Sequence, residues 1–309
     1  MISKTPPLVT IGIPLYNEEK YILETVNSAI NQTYKNIEII ISDNCSTDCS
    51  LEKINEIAQQ NINVQLIKHP FNLGATANFN FLKNEAKGEY FMWLGAHDVI
   101  SKNYIENSIQ VLKENSSIVM AFHNAVFFSG TLNLENLQGD ASSNIDTMSY
   151  KKSRGRMYAV ISNLEFCSAI HGVFRTKILN GDLVEDVQGP DNLMLFTTAE
   201  FGHFKKINQL GYYRRNVHLN EDQKMRIKRY QEYKIIKPNK SNSFDSLAKK
   251  HIDHIFFSKK LTFLDKLKLL RHILFFFNKR HKVSRILMVK HTFHFFKFIP
   301  KIILPNRNN

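Results

Sequence analysis

Three pairings of residue type and position could do chemistry in this 309-residue chain. His97 and Asp98 stand side by side where the apolar run 90–94 ends, after Gly95 and Ala96. A hard cation such as Mg²⁺ takes oxygen ligands and keeps waters, and Mn²⁺ tolerates imidazole, so this pair suits a divalent metal; His97 also suits a structural or surface histidine. His171 and Arg175 in HGVFRT, and Arg214 in YYRRN, suit sugar or phosphate contacts, because a guanidinium fork engages oxyanions through two bonds. Ordinary surface ion pairs explain them equally well. Asp43, Asp48 and Asp191 are carboxylates next to predicted element ends, where turns and helix caps also want them.

The elements that must position these residues alternate. Apolar, β-branched runs at 8–13, 37–42, 64–67, 90–94 and 118–127 predict strands, with Pro14 ending the first because it cannot donate to a ladder. Between them, helical spacing covers 18–32, with Tyr21, Ile22, Thr25, Val26, Ala29 and Ile30 on one face. Further helices are predicted to about 60 behind Ser46 and Asp48, then over 75–86 and 103–113. The segment 129–162 is polar and reads as a loop. Beyond it, 171–175 predicts a strand, 191–201 a helix, and 203–207 and 211–214 two short strands. Repeated strand and helix units of this length predict an α/β, Rossmann-like, mostly parallel sheet with ligands at the carboxyl ends of its strands.

Composition narrows the class. Hydrophobic residues make up 43% of the chain, enough for a large core. Cys45, Cys49 and Cys167 form no CxxC pair, which argues against a zinc ribbon or disulfide scaffold and suits a reducing compartment. Neither a signal-peptide pattern nor a long apolar run is present, predicting a chain that is neither secreted by that route nor membrane-spanning. The net charge of +13 is local: residues 249–309 hold 15 Lys+Arg against 2 Asp+Glu, and 1–248 balance at 26 against 26. The first strand leads into PLYNEE rather than GxGxxG, and no GxxxxGK[ST] occurs, which disfavours a dinucleotide oxidoreductase and a P-loop NTPase.

Six segments in order, VTIGIPLYNEEKYILETVNSAINQTY, IEIIISDNCSTD, FNLGATANFNFLKNEAKGEYFMWLGAHD, HGVFRT, GPDNLML and LGYYRRN, resemble the family 2 inverting glycosyltransferases of bacterial surface-polysaccharide type, whose domain is the GT-A fold. The resemblance covers about 8–216. It implies donor-nucleotide contacts from Pro14, Leu15, Tyr16, Asn17 and Glu18, from Asp43 toward the base, from Asn72, Gly74 and Asn78, and from Ala96 and His97. Metal would fall to Asp98, with His97, in place of the Asp-rich run of many relatives. Asp191 aligns with the catalytic base, although Pro190 replaces the glutamate that commonly precedes it. Ala75 stands where a basic residue is frequent. Trp93 and Phe91 read as core.

The implied protein is a GT-A domain over 1–216, a connecting segment over 217–248, and a basic helical extension over 249–309. Within the extension Phe263, Leu267, Leu270, Leu274 and Phe277 recur at helical spacing, with Lys266, Lys268, Arg271, Lys279, Arg280 and Lys282 between them, as in a helix lying on an anionic membrane. A helical subdomain packed on the catalytic domain fits the same pattern. The expected activity is transfer of a sugar, UDP-linked by preference, with inversion, to a glycan or lipid-linked glycan acceptor. Mn²⁺ or Mg²⁺ is the expected cofactor, the expected place is the inner face of the cytoplasmic membrane, and no nucleic acid is implied. The rivals are a catalytically silent GT-A-fold assembly protein and a basic membrane or nucleic-acid adaptor.

Overall fold

The computed structural model describes residues 5–179, 189–217 and 244–281, together with 224, 225 and 228. Four parallel strands form one half of the sheet: β1 (Val9–Leu15), β2 (Ile37–Asp43), β3 (Val64–Lys68) and β4 (Tyr90–Trp93), in the order β3-β2-β1-β4. Their near-continuous Val, Ile and aromatic content follows from burial on both faces. Helices α1 (Ile22–Ile30), α2 (Ser50–Gln60) and α3 (Ala75–Glu85) make the crossovers. The other half adds β5 (Val99–Ile100), α4 (Tyr104–Glu114), β6 (Ile118–Phe128), β7 (Val173–Arg175) and β8 (His203–Arg215), completing an eight-stranded sheet in which β7 and β5 run antiparallel to their neighbours. The chain is therefore the mixed, mostly parallel α/β sheet that the alternation predicts.

Three expectations are corrected, and one strand is new. Pro14 lies inside β1, paired with Ser42, because β4 has already left the ladder after Gly12↔Trp93 and the strand continues against β2 alone. The two short strands at 203–207 and 211–214 are one strand, β8, whose register against β6 shifts near His123 and Asn124 and so breaks the period-two pattern. The two-residue β5 is too short for periodicity to reveal. The segment 129–162 is packed: it contains a 3₁₀ turn and α5 (Ser153–Asn163), and Ala141, Ile145, Met157, Val160 and Ile161 are buried.

The C-terminal helices also belong to the core. After α6 (Pro190–Thr198), α7 (Phe244–Phe257) packs on α6, and α8 (Phe263–His281) packs on α5 and α7. Leu247, Ile252, Ile255, Leu269, Ile273 and Phe277 are buried with Met157, Val160 and Phe196, at about 1.5–3 kcal/mol for each large side chain so covered. Of the stripe assigned to lipid, Leu270 and Phe277 are buried and Leu267 and Leu274 pack against the same cluster. Four of its five residues face protein because α5 and α7 offer the matching apolar surface, while Phe263 stays exposed. Residues 218–223, most of 226–243 and all of 282–309, Lys282 included, lie outside the described residues. Among the described residues no helix is long and apolar enough to cross a membrane.

Candidate functional site

The carboxyl ends of β1 and β2 meet at Leu15↔Asp43, and the two loops that leave them are bonded to each other. Asn17 N–H donates to Ser46 Oγ (3.0 Å), Glu18 N–H to Ser50 Oγ (2.8 Å) and Glu19 N–H to Asp48 Oδ2 (3.0 Å). In return Thr47 N–H donates to Asn17 Oδ1 (2.8 Å) and Cys49 N–H to Glu19 Oε2 (3.0 Å). Asn17 takes a left-handed φ of 54°, which asparagine tolerates. Neither Ser46 nor Asp48 is the cap expected of it: the N-cap of α2 is Cys49, Asp48 precedes it and accepts from Ser50 N–H in a tight turn, and Ser46 holds the opposite loop.

A second wall comes from the turn into α3. Gly74 adopts φ 92°, a conformation open to glycine, and lets the chain enter the helix beside Asn72, whose Oδ1 accepts from Gly74 N–H. Asn44 joins this wall: its Nδ2 donates to Asn72 Oδ1 (3.1 Å) and its Oδ1 accepts from Leu73 N–H (2.8 Å). Asn78 is anchored through Ser42. Between the walls lies a solvent-open cleft of about 560 Å³, bordered by Pro14, Leu15, Tyr16, Glu18, Asn44, Ala75, Asn78, Phe79, Gly95, Ala96 and His97.

The floor is the loop after β4. His97 Nδ1 donates to Glu18 Oε1 (2.7 Å), and its Nε2 lies 4.0 Å from Asp98 Oδ1. Burial presses the ring's pKa down, yet the charge of Asp98 and the bond to Glu18 outweigh it and hold the ring above its ordinary value. A ring so held is a better donor to a phosphate oxygen than a lone-pair ligand. Asp98 is buried, with Oδ2 accepting from Tyr212 O–H (2.6 Å) and Oδ1 from Arg215 N–H (2.7 Å). Arg215 clamps the loop from behind: Nε donates to His97 O and Nη2 to Glu24 Oε2, and the guanidinium lies between the rings of Tyr21 and Phe128.

His171 and Arg214 stand on this side of the sheet. His171 Nδ1 donates to Trp93 O (3.0 Å), and its ring stacks on Tyr212 at 4.7 Å and 8°. Burial lowers its pKa despite the Asp98 charge, so the neutral ring keeps its proton on Nδ1 and offers Nε2 as an acceptor. The charge of Arg214 is felt by both His97 and His171. Arg175 is not in the site. Because β7 runs antiparallel to β4, Arg175 pairs with Tyr90 at the opposite end of the sheet, where its guanidinium donates to the carbonyls of Ile118 and Leu112.

The three acids occupy different settings. Asp43 is fully buried and accepts from Ser46 N–H, the turn-holding role, while its neighbour Asn44 borders the cleft. Asp98 lies directly behind His97. Asp191 is in the first turn of α6; Gly189 is the N-cap residue, and the Asp191 carboxylate accepts from Asn192 N–H (3.0 Å). Asp191 is not among the residues bordering the cleft, and neither is any other residue of α6, which packs on the short helix Cys167–His171. Two carboxylates, Glu18 and Asp98, flank His97, yet among the described residues no group of three His, Cys, Asp or Glu could hold a divalent ion. Asp98 does not border the cleft: it would meet such an ion only from behind His97, with the lone pairs that its bonds to Tyr212 and Arg215 leave over. Trp93 and Phe91 are core, both fully buried.

Residues 10–181 match the profile of the family described as glycosyl transferase family 2. An uncharacterized glycosyltransferase of Haemophilus influenzae is 36% identical over 112 residues, which is 36% of this chain and 35% of that protein. Glycosyltransferase GlyG of Streptococcus pneumoniae is 34% identical over 113 residues, 37% of this chain and 38% of the relative. These alignments thus span little more than a third of each relative's length. Among solved structures, S. aureus TarS residues 1–349 with UDP superimposes with a TM-score of 0.61 at 18% identity, covering 90% of this chain and 73% of that one. Mannosyltransferase PcManGT from Pyrobaculum calidifontis, with GDP-Man and Mn²⁺, gives 0.58 at 15% identity, covering 95% and 76%. The shared fold is GT-A.

Proposed function

Because this chain belongs to glycosyl transferase family 2, we propose that it moves a sugar from a nucleotide diphosphate, UDP-linked in our reading, to a hydroxyl of a surface polysaccharide or lipid-linked oligosaccharide, with inversion. The observation that carries the reading is the cleft at the carboxyl ends of β1, β2 and β4, walled by two interlocked loops and floored by His97. UDP and UDP-GlcNAc bound to TarS, and GDP-Man bound to PcManGT, support a sugar nucleotide as the occupant.

In this reading Pro14 to Glu18, Asn44, Asn72, Gly74 and Asn78 surround the nucleoside, and Asp43 holds the turn that presents Asn44 to the base. Gly95, Ala96 and His97 lie along the diphosphate, with Arg214 and the Nε2 of His171 toward the sugar. Asp98 is the residue that would hold a divalent cation, Mn²⁺ or Mg²⁺, whose contribution is to neutralise charge on the departing diphosphate. Asp191 takes the acceptor's proton as that oxygen attacks the anomeric carbon. The bond from that carbon to the diphosphate oxygen breaks on the opposite face, and the nucleotide diphosphate leaves with the electron pair.

The basic extension supports a place on the inner face of the cytoplasmic membrane, on a different surface from the predicted one. Leu264, Lys268, Arg271 and Phe275 recur at helical spacing on the exposed side of α8, with Phe257, Lys259 and Lys260 nearby in the chain. A second reading, a catalytically silent assembly protein, draws on the single acid of the 95–98 loop, whose two oxygens are already bonded.

Release of nucleotide diphosphate from a panel of sugar nucleotides, with and without Mn²⁺, decides between them. Transfer is expected from one donor class, with the product's anomeric configuration inverted by NMR. Asp191→Ala should lower kcat about 10²–10⁴-fold while donor binding persists. No release from any donor would leave the silent reading standing.

A further inference from the structure

We propose that His251, on α7, is a positioning residue for Asp191: it anchors Asn192 and thereby the first turn of α6 that carries the carboxylate. The inference rests on Asp191 being the base proposed above. His251 is 59 residues from Asn192 in sequence and completely buried, and its Nε2 lies 3.1 Å from Asn192 Oδ1. Its Nδ1 lies 2.8 Å from Leu247 O. A carbonyl only accepts, so the neutral ring keeps its proton on Nδ1 and presents a lone pair at Nε2. Half a turn of the Asn192 amide brings Nδ2 to that lone pair as a donor. Burial pushes the pKa of His251 down to about 4, which keeps the ring in this neutral form. Phe196 (4.7 Å between centroids) and Phe277 (5.3 Å) pack around the ring.

The turn needs an external anchor. Its N-cap, Gly189, is left-handed at φ 76° and has no side chain with which to bond the free N–H groups of the helix start. The side chain of Leu247, one helical turn before His251, passes 3.5 Å from where a Cβ on Gly189 would lie. Asn192 is held by its side chain, and its backbone N–H donates to Asp191 Oδ1 (3.0 Å), so the residue fixed by α7 is the one that orients the carboxylate. The C-terminal helices thereby enter the catalytic geometry. A histidine that merely fills the core between Phe196 and Phe277 would leave the two nitrogens without a role.

The test compares the full chain with His251→Phe, which keeps a ring and removes both nitrogens, His251→Gln, which returns a polar group, and Asn192→Leu. Steady-state kinetics are read together with hydrogen exchange of the peptide from Gly189 to Leu195. His251→Phe should lower kcat about tenfold or more with donor KM changed less than about twofold, as for a misplaced base rather than a damaged donor site. The Asn192 amide should exchange faster, His251→Gln should recover most of kcat, and Asn192→Leu combined with His251→Phe should cost no more than either alone. Unchanged kcat and exchange in His251→Phe, or an equal loss in His251→Gln, would overturn the proposal. If His251→Phe fails to fold, Asn192→Leu with the same two readouts decides it. If Asp191→Ala keeps full turnover, the base assignment fails by itself, and the exchange data still report whether His251 anchors the turn.

Discussion

At Gly95 a single methyl group would disturb the acidic loop. A Cβ there would stand 2.6 Å from Asp98 Oδ2, the oxygen that accepts from Tyr212, so Gly95→Ala must displace the carboxylate or the strand end. The expected result is a loss of about tenfold or more in kcat, since small displacements at a reacting centre are costly, with urea stability reduced far less; unchanged turnover would separate Asp98 from the chemistry. Single residues were unevenly legible in the sequence. Asn78 borders the cleft, and Gly74 turns the chain into the helix that carries it. Asn44, adjacent to Asp43, carries no signal of its own in the sequence, because an amide after a strand end is an ordinary turn residue. Arg215, the clamp on Asp98, was hidden by its neighbour Arg214: which of two successive strand residues faces the loop depends on the register shift in β8, and composition does not encode it.

At the scale of elements, the site is two loops that hold each other. Asp48 accepts from Ser50 N–H at the start of α2 and from Glu19 N–H across the gap, and against the cost of burial the Ser50 hydroxyl and these bonds keep its pKa below the usual range. Asp48→Ala removes both, which is expected to cost about 1–3 kcal/mol of stability, as for loss of hydrogen bonds to a charged group, and to raise donor KM with little change in kcat. Chemical denaturation and initial rates check the two halves, and an unaffected KM would show that the loop pair does not shape the donor site. The strands and helices flanking these loops could be read from periodicity because each buries a simple face. The helix α5 could not: Arg156 and Met157 are both buried in it, the arginine donating to the carbonyls of Ala199 and Glu200, so no apolar stripe marks it. The role of α7 was also illegible, since His251 and Asn192 meet only through the tertiary fold.

Across the whole molecule, charge and burial set the response to conditions. Burial drives His123 and His251 to about 4, against about 6.5 in an unfolded chain. The unfolded state therefore binds protons first as pH falls, and stability should decline between pH 6.5 and 4, by about 3 kcal/mol for each fully buried ring. His97, raised, works in the opposite sense, and the lowered acids Asp48 and Glu200 lose their contribution only at still lower pH. Urea midpoints that stay level from pH 7.5 to 5 would contradict this balance. The exposed face of α8 predicts sedimentation with anionic but not zwitterionic vesicles, weakened by Leu264→Glu with Phe275→Glu; equal binding to both would remove the electrostatic half of that reading. The central claim, that the cleft between the β1 and β2 loops receives the nucleotide, is tested most directly by hydrogen exchange of the full chain with and without saturating UDP. Slowed exchange is predicted over residues 14–19, 44–50, 72–78 and 95–98 together. Slowed exchange confined to other segments, with these four unchanged, would contradict it.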